Sequence, residues 1–170
     1  MKIKKVNIEE VEKLKEIAKR TFYEAFSSDN DEENIAEYLE KGFSTEKLKE
    51  ELTDPNAEFY FAELNGEIVG YLKVNVGQSQ TDIKDKNALE IERIYVSKEF
   101  HGKKVGQVLF EKAVEFAKEK ELTYVWLGVW EYNPKAIKFY RKNGFVAFDQ
   151  HIFKLGNEQQ TDILMKLSLK

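Results

Sequence analysis

The sequence predicts a mixed α/β fold, in which a mostly antiparallel sheet of seven strands has a central parallel pair and helices on both faces. Short alternating apolar segments dominate the middle and the end of the chain, which predicts strands there. Segments with apolar residues at helical spacing precede and interrupt them. The strand expected over residues 89–96 leads through a helix into another strand, and a helical crossover joins parallel strands.

The first third of the chain is predicted to be mainly helical. A weak alternation over residues 2–6 indicates a short strand, and Asn7 with Glu10 three residues later is a capping-box pattern that opens the first helix. Two shorter helices are expected over residues 32–41 and 45–52. The order of elements along the whole chain is then β-α-α-α-β-β-β-α-β-α-β-β.

A hairpin begins the remainder of the chain. Segments 58–64 and 67–76 have strand character, and the Asn65-Gly66 pair between them is typical of a two-residue hairpin turn. Residues 77–87 are polar and are expected to form a loop. The later elements are a strand over 89–96, a helix over 105–120, a strand over 123–130, a helix over 134–142, and strands over 145–154 and 161–169.

Composition limits the classes of function. The chain has 170 residues and no linker-like segment, so we expect one domain over residues 1–170. A net charge of −4 argues against a nucleic-acid partner. The absence of cysteine excludes disulfides and thiolate nucleophiles, and two histidines are too few for a histidine-rich metal cluster, so no metal is expected. No apolar run approaches about 18 residues, which predicts a cytoplasmic protein without a membrane partner.

Residues 89–106, LEIERIYVSKEFHGKKVG, contain the strongest functional signal. A strand, a basic loop with glycine and a helix start form an anion site, because a helix N-terminus has unpaired N–H groups and a positive dipole end. Glu90 and Glu92 precede the loop and, being two residues apart, are expected on the same face of the strand. These features predict a phosphate-bearing cofactor beside a proton-transfer site.

This loop, taken together with residues 133–145, resembles the GNAT superfamily of N-acetyltransferases. The loop signature of that family is Q/R-x-x-G-x-G/A, and residues 101–106 read HGKKVG. The second motif is an asparagine followed by A-x-x-F-Y-x-x-x-G-F, matched here by Asn133, Ala136, Phe139, Tyr140, Gly144 and Phe145. The segments LEIERIYV, WLGVWE and AIKFYRKNGF are similar to the PaiA type of bacterial polyamine N-acetyltransferase.

The resemblance implies a GNAT-like fold and transfer of acetyl from acetyl-CoA to a primary amine of spermidine or spermine. Direct attack in a ternary complex, with coenzyme A as product, and a homodimer are expected. The backbone of Ile94, Tyr95 and Val96 would pair with the pantetheine arm. The other implied cofactor contacts are His101, Gly102, Lys103, Lys104, Val105, Gly106 and Gln107 at the pyrophosphate, and Asn133, Lys135, Ala136, Tyr140 and Lys142 in the second half of the site.

The reaction needs a base and an acid. An alkylammonium has a pKa near 10.4, so a base must remove a proton before the amine attacks. Glu90 stands where other members of the superfamily have a glutamate base, and Glu92 is the second candidate, although each could instead pair with lysines or with Arg93. Tyr140 matches the tyrosine that protonates the leaving thiolate, and the alternative for it is a core tyrosine.

Two positions depart from the family pattern. His101 replaces Gln or Arg, and Lys104 replaces the first glycine of the loop signature. A lysine predicts ordinary backbone dihedrals at that position, and it adds a cation near the pyrophosphate. Trp126 is expected in the core, Trp130 near the edge of the substrate cleft, and His151 in a structural role.

Residues 21–40 contain seven acidic side chains and no basic side chain. They are either a solvated helix face or a field that attracts a polycation. With the acceptor that the resemblance implies, polyamine acetylation is the leading hypothesis. The alternatives are acetylation of another amine, such as a protein N-terminus, a lysine or a drug, and a regulatory module that binds acetyl-CoA and acts through a protein partner.

Overall fold

The computed structural model describes residues 1–169 and confirms the predicted fold class. The strands of this part of the chain are β1 (Lys2–Lys5), β2 (Ala57–Leu64), β3 (Glu67–Val76), β4 (Ala88–Val96), β5 (Tyr124–Trp130), β6 (Val146–Leu155) and β7 (Glu158–Ser168). The helices are α1 (Val11–Phe26), α2 (Glu32–Gly42), α3 (Thr45–Thr53), α4 (Val105–Glu119) and α5 (Pro134–Lys142).

The boundaries differ from the predictions by more than one residue at two places. The capping box at Asn7 opens a 3₁₀ turn over Ile8–Glu10, and the α-helix begins only at Val11. The strand predicted from residue 161 begins at Glu158, because the turn of the last hairpin is only the two residues between β6 and β7. In the predicted hairpin, Asn65 and Gly66 both have positive φ, which is the conformation that this dipeptide favours.

The seven strands form one sheet in the order β1-β2-β3-β4-β5-β7-β6. Only β4 and β5 are parallel, and the other neighbours are antiparallel. Alternation along β2 shows how both faces are covered: Phe59 and Phe61 pack with α1 to α3, whereas Tyr60 and Ala62 pack with α4. The helices therefore lie on both faces, as predicted.

The parallel pair separates soon after it forms. β4 and β5 pair only through Ala88↔Tyr124, Leu89↔Val125 and Glu90↔Trp126. β4 nevertheless continues to Val96 and β5 to Trp130. Beyond Glu90 the two strands present facing edges without a strand between them, and this opening positions the site.

β4 also contains a bulge. Lys73 of β3 is opposite Arg93 and Val74 is opposite Ile91, so Glu92 has no partner in the register. A bulge turns two consecutive side chains to one face. Glu92 and Arg93 accordingly both point toward α3, where Arg93 meets Glu51, whereas strict alternation would have turned Arg93 toward α4.

Within residues 1–169, no helix is long and apolar enough to cross a membrane.

Candidate active site

A cleft of about 1170 Å³ occupies the opening between β4 and β5. The predicted site residues line it with one exception, Lys103, whose ammonium lies over the ring of Phe100 at 6.0 Å. The structure thus brings the two halves of the predicted site, from β4 to α4 and from β5 to α5, to one cavity.

The edge of β4 forms one side of the cleft. Ile94, Tyr95 and Val96 pair with β3 on one side, and their other edge faces the opening. Such an edge offers backbone N–H and C=O groups to an extended ligand, in the way that a sheet accepts an added strand. The carbonyl of Val96 is the exception, because the His101 ring nitrogen Nε2 lies 2.9 Å from it.

The loop before α4 leaves backbone N–H groups open to the cleft, where the sequence predicts an anion site. The first helical bond that closes onto the loop runs from Val108 N to Lys104 O. The N–H groups of Val105, Gly106 and Gln107, which line the cleft, therefore have no partner within the helix. Three unpaired donors at a positive helix end fit the pyrophosphate of coenzyme A.

Lys104 corrects one expectation. Its backbone is left-handed, with φ 65° and ψ 16°, rather than in an ordinary region. The lysine thus adopts the conformation that the glycine of the family signature would adopt without strain, at a cost of about 1 kcal/mol. The loop keeps its shape although the residue type changes.

The second half of the site is the start of α5. Asn133 caps this helix, its Oδ1 accepting the N–H of Ala136 at 3.2 Å, and Pro134 occupies the first turn. At the other end of α5, Asn143 Oδ1 accepts a hydrogen bond from Gln107 Nε2 at 3.1 Å, which connects the start of α4 to the end of α5. Lys135 and Lys142, also predicted here, are exposed at the two ends of α5.

Tyr140 is buried on α5, with its ring packed edge-on against Phe139 and Phe145. No described group forms a hydrogen bond with its hydroxyl, and the residue lines the cleft. Burial raises the pKa of Tyr140, so the phenol is protonated at neutral pH. A neutral phenol can donate a proton to a departing anion.

Glu90 is 3% exposed and firmly held. Its Oε1 accepts the Thr81 N–H at 2.7 Å and Asn75 Nδ2 at 3.0 Å, and its Oε2 accepts the Thr81 hydroxyl. Burial raises the pKa of Glu90 although these hydrogen bonds favour the charged form. A raised pKa makes this carboxylate a stronger base.

Glu92 has a different environment. It accepts Asn75 Nδ2 at 2.8 Å, and it pairs with Lys73 Nζ at 2.6 Å and Arg93 Nη2 at 3.3 Å. Burial opposes its ionisation, but the charges of Arg93 and Lys73 outweigh burial and lower the pKa of Glu92 to about 2. The ion-pair alternative considered for the two glutamates therefore describes Glu92, which is a weak base.

Further residues line the cleft beyond β5. Trp126 is in the core, as expected, and its Nε1 donates to Gln80 at 2.7 Å; Trp130 lines the cleft. His151, expected to be structural, also lines the cleft, and its Nδ1 contacts the carboxylate of Asp82.

Asp162 was not among the predicted site residues, and burial raises the pKa of its carboxyl to about 6. The register of β7 with β5 places Asp162 opposite Trp130, and this register could not be predicted from the sequence.

Most of the acidic stretch is a solvated face. Of its seven side chains only Glu24 lines the cleft, where its Oε1 accepts the Lys98 N–H at 2.9 Å. Asp31 caps α2 and Glu37 pairs with Lys41 on the exposed side of that helix. Within residues 1–169, no group of three or more histidine and acidic side chains is arranged to hold a metal ion.

Comparison with known proteins gives consistent matches. Residues 11–145 match the family model described as the acetyltransferase (GNAT) family. An uncharacterized N-acetyltransferase from the pepI 3′ region of Lactobacillus delbrueckii subsp. lactis is 41% identical over 169 residues, which are 99% of this chain and 98% of that protein. A spermidine N(1)-acetyltransferase of Thermoplasma acidophilum is 28% identical over 153 residues, 88% of this chain and 90% of that protein.

Among solved structures, the PaiA N-acetyltransferase from Thermoplasma acidophilum in complex with coenzyme A is similar over the full length. The TM-score is 0.81 with 26% sequence identity, and the match covers 98% of both chains.

Proposed function

This chain belongs to the GNAT family of acetyltransferases and is an acetyl-CoA-dependent N-acetyltransferase; from that premise we propose that its acceptor is a primary amine of a polyamine, such as spermidine or spermine. The observation that carries the proposal is the presence of three carboxylates, Glu90, Asp82 and Asp162, in the lining of the cleft. A polycationic acceptor complements such a lining. The similarity to a spermidine N(1)-acetyltransferase supports the same acceptor.

Glu90 is the proposed base. At neutral pH the free amine is a minor species, which costs about 4–5 kcal/mol if no base assists. Hydrogen bonds from Thr81 and Asn75 hold the Glu90 carboxylate in one orientation, and its raised pKa suits proton abstraction near neutral pH. Glu92, with its pKa near 2, instead keeps Lys73 and Arg93 in place.

Acetyl-CoA supplies the thioester carbonyl that the freed amine attacks. Free N–H groups on the edge of β4 beyond Glu90 are the proposed donors to the oxyanion that develops there. Tyr140 is proposed to protonate the leaving sulfur, because its phenol is neutral and lines the same cleft.

The cofactor contacts are proposed in three groups. The backbone of Ile94 to Val96 pairs with the pantetheine arm, and the N–H groups of Gly102 and of residues 104–107 bind the pyrophosphate, with the Lys104 side chain close to it. The N–H groups of His101 and Lys103 already donate to Lys98 O and Phe100 O. Asn133, Lys135, Ala136 and Lys142 contribute from α5. Lys103 lies outside the cleft, so we give it no direct contact.

The test is acetylation by the purified chain, followed as release of free thiol from acetyl-CoA with spermidine, spermine, amino acids, peptides and simple amines. We expect the polyamines to give the highest kcat/KM. A higher kcat/KM for a peptide or an amino acid would identify another acceptor. Tight acetyl-CoA binding without thiol release for any amine would indicate a regulatory binding module instead.

Glu90→Gln tests the base. We expect kcat/KM for spermidine to fall by about 10²–10⁴. In the wild type, kcat/KM should rise with pH as Glu90 loses its proton, and this acidic limb should be absent in Glu90→Gln. Glu37→Gln, on the exposed side of α2, is the matched control. An unchanged acidic limb in Glu90→Gln would assign the base to another group, such as a bound water.

A homodimer and a cytoplasmic location complete the proposal. β6 is the last strand of the sheet, and its Val146 and Phe148 side chains are 59% and 37% exposed, which supports pairing of two chains there. Cell fractionation tests the proposed cytoplasmic location, and recovery of the protein in another fraction would contradict it.

A further inference from the structure

Asp162 stands beside a hollow in the sheet. It is opposite Trp130 in the register of β5 with β7, and it lines the cleft. Its carboxylate lies close to Gly128, because a Cβ added to that glycine would be 3.4 Å from Asp162 Oδ2. Gly128 is exposed although Leu127 and Val129 beside it are buried, so the floor of the cleft is open at this point.

No described group donates a hydrogen bond to Asp162, and its partner in the register of β6 with β7 is His151. His151 is itself paired with Asp82. Burial of a carboxylate without a donor is unfavourable, as the raised pKa of Asp162 reflects. A bound cation would compensate for this cost.

An aromatic wall adjoins the hollow. The rings of Trp130 and Phe26 lie 6.2 Å apart, and Tyr132 packs edge-on against Trp130 at 5.7 Å. Trp130 and Phe26 both line the cleft. Aromatic faces attract ammonium groups and also pack against methylene chains.

The hollow lies at a distance from Glu90 that suits a second amine. Glu90 is level with Trp126, and Gly128 is two residues, about 6.6 Å, further along β5. Asp162 reaches Gly128 from the strand on the other side of β5, and strands are about 4.8 Å apart. The two carboxylates are therefore on the order of 10 Å apart on the same face, which leaves room for a spacer of several carbons.

We propose that Asp162, at the hollow over Gly128 and beside Trp130, binds a second ammonium group of the acceptor and so selects diamines and polyamines over monoamines. The inference rests on the proposed polyamine acceptor and adds a specificity-determining residue to it. Glu90 receives the amine that is acetylated, and Asp162 holds the amine that is not.

The experiment compares butylamine, 1,4-diaminobutane and spermidine as acceptors for the wild type and Asp162→Asn. We expect the wild type to prefer the diamine and spermidine over butylamine. In Asp162→Asn, the ratio of kcat/KM for spermidine to that for butylamine should fall by roughly 10- to 100-fold, mainly through KM. Asp149→Asn removes the same charge from an exposed site on β6 and should keep the wild-type ratio.

Gly128→Ala is the second variant. It keeps every charge but places a methyl group 3.4 Å from Asp162 Oδ2, so we expect the same selective loss. Circular dichroism and coenzyme A affinity check that both variants fold.

Two outcomes overturn the inference in distinguishable ways. If the wild type acetylates no polyamine, the proposed function fails and the inference with it. If the wild type prefers spermidine and folded Asp162→Asn keeps the same ratio, the proposed function stands and the role of Asp162 is wrong.

Discussion

Glu90 and Glu92 accept hydrogen bonds from the same amide, Asn75 Nδ2, yet their pKa values move in opposite directions. The difference comes from their other partners. Thr81 offers Glu90 neutral donors, whereas Lys73 and Arg93 offer Glu92 full positive charges. The sequence predicts two glutamates on one strand, but it could not show that their pKa values differ, because the partner side chains come from other segments.

Tyr140→Phe belongs to the same scale. It removes only a hydroxyl without a described partner and keeps the ring packing with Phe139 and Phe145, so the free energy of unfolding should change by less than about 1 kcal/mol. The single-turnover rate of acetyl transfer should fall by about 10²-fold or more, since the leaving thiolate would lose its proposed acid. Coenzyme A affinity by calorimetry should stay close to that of the wild type.

Tyr23→Phe, which makes the same chemical change at an exposed site that does not line the cleft, is the control. An unchanged single-turnover rate in Tyr140→Phe would remove Tyr140 as the acid.

At the scale of the element, alternation, helical spacing and turn residues were sufficient to predict every strand and α-helix of the described chain, but not the 3₁₀ turns at Gly77–Ser79 and Lys98–Phe100. The bulge in β4 was not predictable, because an unpaired residue exists only relative to the register of β3. The bulge brings Glu92 and Arg93 to one face, where they join Lys73 and Glu51 in a buried charge cluster that fastens α3 to the sheet.

This cluster predicts acid sensitivity. The pKa of Glu92 is lowered from 4.5 to about 2 in the folded chain, so its contribution to stability is present above pH 4.5 and is lost as the pH falls toward 2. We expect the free energy of unfolding, measured with urea, to decrease by a few kcal/mol over that interval. Glu92→Gln should be less stable at pH 7 by about 3 kcal/mol and should show a flatter dependence below pH 4.5.

Glu37→Gln, which removes an exposed ion pair on α2, should follow the wild-type pH dependence. If Glu92→Gln followed it as well, another group would be the acid-sensitive one.

At the scale of the whole molecule, the parallel pair and helices on both faces followed from the crossover rule. The lining of the cleft beyond β5 could not be predicted from that rule. β7 lies between β5 and β6 in the sheet, and this order brings Asp162 and His151 beside the opening. Sequence patterns contain no direct measure of which strand lies next to which. The lining of that half, including the proposed second ammonium site, could only be found from the assembled sheet.

The expected homodimer is also tested at this scale. Light scattering on the purified chain should give twice the mass of one chain. Val146→Glu, which puts a charge on the exposed edge strand, should shift the mass toward one chain. Ile8 is an exposed apolar side chain in the turn after β1, and β1 is at the opposite end of the sheet from β6. Ile8→Glu should therefore leave the mass unchanged. A wild type with the mass of one chain would rule out the dimer.

The separation of β4 and β5 also affects resistance to aggregation. An unpaired strand edge is ordinarily a template on which another chain can add a strand. Here the two free edges face each other across a cleft, between helices that cover both faces of the sheet. A narrow extended molecule can enter between them, whereas a strand of a neighbouring protein would bring its own side chains and sheet. The fold can thus keep strand edges ready for a small ligand without exposing them to other chains.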